Sequence, residues 1–308
     1  MSTNAIQSSH IYSTYFAPRG RSRIYTLGMQ IAQLYLSPFD QIIGFIGEAG
    51  SGKSVLIKGM FPGIELTNDD DGVNVRPLPL LEQEDVTGFF TPHTYHLDIR
   101  FETGFHQLSE LADAVRLAVR RGKRIIIEHF DLIYPLLGVN ANLLIGVGEQ
   151  IVITRPNLFG PLPQELCDIV YPSLAYRLMA HSAEDLCEYA MTQEQMLACS
   201  HGDIRHGFVL EFNEHQPDID IPTLEARVNE LIRQDLPIDY YDESHILLGG
   251  AQHYCTGPRT HVRSTGRIIG FRLLDHFIYD HFHKTYMLVG CVGDDSEENI
   301  RKLETIHG

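Results

Sequence analysis

The chain has 308 residues, 44% of them hydrophobic, enough for one large or two ordinary domains, each with its own core. Its 24 basic and 40 acidic residues give a net charge of −16, so most of its surface repels nucleic acid and any RNA contact must use a local basic patch. No apolar run reaches the ~18 residues of a membrane-spanning helix, the opening MSTNAIQSSHIYSTYFAPRG lacks a signal peptide's apolar core, and five scattered cysteines without a CxxC pair argue against a disulfide framework, so a cytoplasmic protein with no membrane partner is expected.

In chain order, Arg19, Arg21 and Arg23 come first, a candidate RNA contact whose plainer reading is solvated charge at a segment end. The stretch QIIGFIGEAGSGKS follows. An apolar strand-like run, Gln41 to Ile46, leads into Gly47-x-x-x-x-Gly52-Lys53-Ser54, and VLIKGM after it suits a helix. That strand–loop–helix order is the context a Walker A loop needs. Its glycines let successive backbone N–H groups face a phosphate with no Cβ in the way. Gly47, Glu48, Ala49, Gly50, Ser51, Gly52, Lys53, Ser54 and Val55 are therefore the expected ATP-binding residues. Lys53 would reach the β- and γ-phosphates, and the Ser54 hydroxyl would ligate Mg²⁺.

Further on, Asp69, Asp70 and Asp71 before Gly72 read as a solvated turn. TYHLDIRFE alternates like a strand and carries Asp98, a second acidic candidate. HQLSELADAVRLAVRRG has helical spacing, with Gly122 placed to end it. Arg116, Arg120, Arg121, Lys123 and Arg124 form a second basic group there. RIIIEHFD is a short apolar strand with Glu128 at its C-terminal edge, where α/β sheets bind ligands. Glu128 is the preferred Mg²⁺ partner, while Asp131 fits a cap for the next segment.

Pro161 and Pro163 mark a linker, dividing the chain into 1–165 and 166–308. Past it, PSLAYRLMAHSAEDLCEYAM and PTLEARVNELIRQDL show helical spacing, Pro222 opening the second. GFVLEFNE, HILLGGAQHYC, GRIIGFRLLDHF and TYMLVGCV read as strands, and SEENIRKLETIHG as a terminal helix. The expected class is α/β, a P-loop domain with a mainly parallel sheet followed by an α+β domain.

Two family resemblances rest on these segments. TLGMQIAQLYLSPFDQIIGFIGEAGSGKSVLIKGM is similar to the start of the TsaE family, P-loop ATPases of tRNA threonylcarbamoyladenosine synthesis. Thr26 and Gly28 match its helix marker, Glu48 stands where it has Asp, and Ser54 where it has Thr. TYHLDIR resembles its His-x-Asp segment at His96 and Asp98, and IIIEHFD its Ile-Glu-Trp strand end, with His129 replacing the tryptophan. The likeness covers roughly 20 to 155 and implies ATP binding and slow hydrolysis, with Asp98 and Glu128 near the metal.

The second half resembles the second additional, editing domain of alanyl- and threonyl-tRNA synthetases and of free-standing editing proteins. AHSAEDLC resembles its zinc helix, GFVLEF and LEARVNELIRQDLPI two later segments, and CTGPRTHVRSTGRIIGF its Cys-Gly-Gly-Thr-His run. The implied zinc ligands are His181, Asp185, Cys255 and His261. Asp185 replaces a histidine, and the Cys255–His261 spacing is two residues longer. Residues four apart share a helix face, and Asp is an acceptable zinc ligand; the alternative is a relic of a lost site. His253, His276, His281 and His283 are substitute ligands or ordinary histidines.

The function these features predict is an ATP hydrolase fused to an editing-like domain that acts on tRNA or an aminoacyl or nucleoside adduct. The rivals are a nucleoside or small-molecule kinase, with Asp69–Asp71 holding the acceptor, and a nucleotide-switched binding protein without catalysis.

Overall fold

The computed structural model describes residues 11–66, 93–158, 160–213 and 215–307, so Asp69, Asp70 and Asp71 lie outside the described residues. The chain forms two compact units, Met1–Ala17 with Arg21–Pro172, and Pro18–Gly20 with Ser173–Gly308. Among the described residues no helix is long and apolar enough to cross a membrane.

The first unit runs β1 (Ser13–Phe16), α1 (Arg21–Tyr35), β2 (Ile42–Ile46), α2 (Lys53–Met60), β3 (Thr94–Asp98), α3 (Ile99–Glu102), α4 (Leu108–Arg120), β4 (Arg124–Glu128), α5 (Phe130–Leu137), β5 (Leu143–Val147) and β6 (Gln150–Thr154). Its sheet has the order β1-β6-β5-β2-β4-β3. The pairs β5–β2, β2–β4 and β4–β3 are parallel, whereas β6 runs antiparallel to both β5 and β1. The sheet is thus mixed. After β5 the chain turns straight back, Gly148 N–H donating to Gln150 O at 2.9 Å, with no room for the helix a parallel crossover needs. Central β2 reads IIGFI and is buried at every position, as expected of a strand covered on both faces.

Two glycines let α1 and α2 cross closely. A Cβ on Gly28 would lie 2.5 Å from Leu56 O, and one on Gly59 would lie 2.2 Å from Tyr25 O. This backbone-to-backbone approach fixes where α2 begins, and with it the loop that precedes it.

The second unit takes up α6 (Pro163–Ala190) from Ser173 onward, then α7 (Gln193–Ala198), β7 (Cys199–Ile204), β8 (Gly207–Asn213), α8 (Ile221–Arg233), β9 (Ile238–Asp242), β10 (His245–Leu248), β11 (Ala251–Tyr254), a 3₁₀ turn (Thr265–Arg267), β12 (Arg272–Leu273), β13 (Ile278–Asp280), β14 (Thr285–Cys291) and α9 (Ser296–His307). Its sheets are antiparallel: β12-β14-β8-β7 with β13 beside β14, and β11-β10-β9. Phe208, Leu210 and Phe212 of β8 pack with Leu224 and Val228 of α8 in its core.

Several boundaries differ from those read in the sequence. Pro163 opens α6 instead of ending a linker, because proline is well suited to a helix's first turn, and the units part at Pro172 inside that helix. HILLGGAQHYC is a hairpin, with Gly249 at φ 57° and Gly250 at φ 85° forming its turn. GRIIGFRLLDHF forms only a 3₁₀ turn and the two-residue β12. Strand β7, CSHGDI, leaves no mark in the sequence because it lacks apolar alternation.

Candidate nucleotide site and a buried polar cluster

The loop between β2 and α2 turns through glycines at positive φ, Gly47 at 155°, Gly50 at 79° and Gly52 at 91°. A Cβ on Gly47 would lie 2.5 Å from Val147 O, so the loop is held against β5 where only glycine fits. Lys53, the first residue of α2, is buried, and its ammonium donates to Gly47 O and Glu48 O at 2.9 Å each. Ser54 Oγ donates to Glu128 Oε1 at 3.2 Å, and Lys53 Nζ lies 3.6 Å from Glu128 Oε2.

Sheet register brings these groups together. Phe45 pairs with Glu128 across β2–β4, and Asp98 pairs with Glu128 across β3–β4, so three parallel strands end at one level beside the loop. His96 Nε2 sits 3.1 Å from Glu128 Oε1. Asp98 accepts from Phe101 N–H at 3.2 Å and so caps α3, while its carboxylate also falls within 4.8 Å of ligand atoms on Glu128 and His129. Glu48 is held by two bonds from Arg100, at 2.8 and 3.1 Å.

The electrostatics favour an ionised Glu128. Burial pushes its pKa up, but the His96 hydrogen bond and charge, with Lys53 and His129, outweigh this and bring it to about 2. His129 is pulled down to about 4 by burial and by the cations Lys53 and Arg100, so its ring is neutral at pH 7. Its backbone takes φ 57° as the N-cap of α5, unusual for a residue with a Cβ, and Nδ1 has no hydrogen-bond partner.

In the second unit, α6 buries a polar face: Arg177, His181, Glu184, Asp185 and Glu188 recur at helical spacing. Arg19, expected in a surface patch, is only 2% exposed. Its guanidinium donates to Glu184 and Asp185, and to Cys255 Sγ at 3.1 Å. Two carboxylates and a thiol draw it inward, since a guanidinium is buried only when so paired.

Of the four expected zinc ligands, three converge. Asp185 Oδ2 lies 2.6 Å from His261 Nε2, Cys255 Sγ lies 3.7 Å from the same nitrogen, and all three donor atoms fall within 4.8 Å of one another. His181 is not among them. Its Nε2 lies 4.0 Å from Asp203 Oδ1, and its Nδ1 has no hydrogen-bond partner. Burial, Arg177 and Arg19 hold its pKa well below the usual histidine range. Burial pushes the Cys255 thiol up, but His261 and Arg19 bring it down to about 7. Burial raises the pKa of Glu184 despite Arg19.

No family model matches the chain, and no curated protein matches it. The sequence leaves Glu184, Glu188, Cys199 and His201 unmarked and places Arg19 on the surface instead of in this cluster. For Glu184 and Glu188 a signal existed, five polar residues at helical spacing on an otherwise apolar stretch of α6.

Proposed function

We propose that the first unit is a P-loop ATPase that binds ATP with Mg²⁺ at Gly47–Ser54. The observation that carries this reading is the meeting of Lys53, Ser54 and Glu128 at the C-terminal ends of adjacent parallel strands. The residues fit the group: the loop needs glycine, and its one lysine lies bonded to loop carbonyls. Ser54 Oγ and Glu128 are the residues that would hold Mg²⁺, which supplies neutralisation of phosphate charge. Lys53 exchanges its two carbonyls for phosphate oxygens. His96 fixes the Glu128 carboxylate, which being ionised orients a water towards the γ-phosphate. That water's oxygen forms the new bond to the γ-phosphorus as the bond to the β–γ bridging oxygen breaks; ADP leaves with that electron pair, and the water's proton passes to the departing inorganic phosphate.

For the second unit, the resemblance to synthetase editing domains supports a cytoplasmic module that acts on tRNA or an aminoacyl or nucleoside adduct. Asp185, Cys255 and His261 offer donors that suit zinc. Two of them already serve Arg19, so zinc binds there only by displacing the guanidinium.

The test is phosphate release by the purified full chain and its Lys53→Ala variant, with and without nucleosides and tRNA. Loss of nucleotide binding and turnover in the variant supports the reading, and hydrolysis equal to the parent's refutes it. Stoichiometric transfer of the γ-phosphate to a nucleoside would make the protein a kinase.

A further inference from the structure

We propose that Glu188, Cys199 and His201 form a divalent metal site for zinc or a similarly thiophilic ion, distinct from the Asp185–Cys255–His261 set. Their donor atoms lie within 4.8 Å of one another. Glu188 comes from the last turns of α6, and Cys199 and His201 from alternate positions of β7, which point to the same face of the strand. Cys199 Sγ lies 3.9 Å from Glu188 Oε1, and His201 Nε2 is hydrogen-bonded to that same oxygen. Ligands on one tetrahedral zinc, with bonds of about 2.0 to 2.3 Å, stand about 3.5 Å apart, so side-chain adjustments alone close the set around an ion.

A thiolate, an imidazole and a carboxylate together select zinc over Mg²⁺ or Ca²⁺, which take all-oxygen sets. Unlike the neighbouring set, none of these three side chains is hydrogen-bonded to Arg19. An ion enters here without evicting a buried cation. A further observation points to the same place. His253 is 7% exposed, its Nε2 has no hydrogen-bond partner, and it faces the second oxygen of Glu188 at 3.9 Å. A metal on Oε1 draws Glu188 into place and leaves His253 to position Oε2. His201 is 24% exposed, which gives the ion a way in and leaves a coordination position towards solvent. The Cys199 thiol proton and the proton that His201 Nε2 shares with Glu188 both leave to solvent when the metal–sulfur and metal–nitrogen bonds form.

This inference does not depend on ATP hydrolysis, and its test reads metal alone. The full chain, stripped of metal, is titrated with Co²⁺ and followed by the thiolate-to-cobalt absorption band. Cys199→Ser and His201→Gln should each weaken this binding at least about tenfold, while Cys291→Ser, at a thiol outside both sets, leaves it. No thiolate band in the parent, or a band lost with Cys255→Ser and kept with Cys199→Ser, overturns the proposal. Should the variants fail to fold, the parent decides the matter by peptide-resolved alkylation. Zn²⁺ should slow modification of Cys199 by about tenfold or more, and an unchanged rate overturns the site.

Discussion

Ser54 Oγ and Glu128 Oε1 lie 3.2 Å apart although 74 residues separate them in the chain. The contact exists because β2 and β4 are adjacent and in register, so the hydroxyl in the first turn of α2 meets the last residue of the neighbouring strand. Glu128→Gln keeps the shape and removes the charge. We expect ATP hydrolysis to fall by about 10²-fold or more with little change in nucleotide affinity. Single-turnover hydrolysis beside binding of a fluorescent nucleotide checks this, and an equal loss in both would contradict the assigned role.

The same carboxylate sets an acid limit on stability. Its folded pKa of about 2 lies below the ordinary glutamate value of 4.5, so the unfolded chain binds the proton more tightly. The stabilisation is therefore fully present above pH about 4.5 and drains away as pH falls towards 2. Urea unfolding of the parent and Glu128→Gln across that range should show a stability difference that is constant near neutrality and changes only below pH about 4.5. A difference that changes instead between pH 6 and 8, about where an unperturbed histidine titrates, would assign the effect to another group.

Arg19→Met should cost about 3–5 kcal/mol, because it leaves Glu184 and Asp185 buried without their cation. Adding Glu184→Gln and Asp185→Asn should restore part of the loss. Equilibrium denaturation measures both, and a cost below about 1 kcal/mol would place Arg19 among ordinary surface pairs.

Gly59→Ala should destabilise the first unit by about 1–3 kcal/mol, since the new methyl would stand 2.2 Å from Tyr25 O. The same shift of α2 displaces Lys53 and Ser54, so nucleotide affinity should fall with stability. A variant as stable as the parent that binds nucleotide normally would show that α1 and α2 have room to separate.

What was legible in the sequence was local. The glycine loop, the IIGFI strand before it and the helix after it are contiguous, and each declares itself by residue type or periodicity. Glu128 was found for the same reason, as an acid at the end of a short apolar run. The reversal of β6 was not legible, because its direction depends on a tight turn at Gly148 and Glu149 and not on its apolar content. The family pattern brought Asp185, Cys255 and His261 together, but could not show that Arg19 would reach two of them or that His181 would face Asp203. Those are choices among buried charges far apart in sequence, and periodicity carries no information about them.

The position of Arg19 in the chain bears on how the protein can be dissected. Pro18–Gly20 belongs with the second unit although the chain on either side of it belongs to the first. A fragment cut at residue 173 keeps Glu184, Asp185 and Cys255 and discards their counter-cation. Such a fragment holds strands β7 to β14 and still lacks the unit's charge balance. A peptide spanning residues 18–20, supplied in trans or grafted onto residue 173, is the missing part that a minimal version of this unit requires.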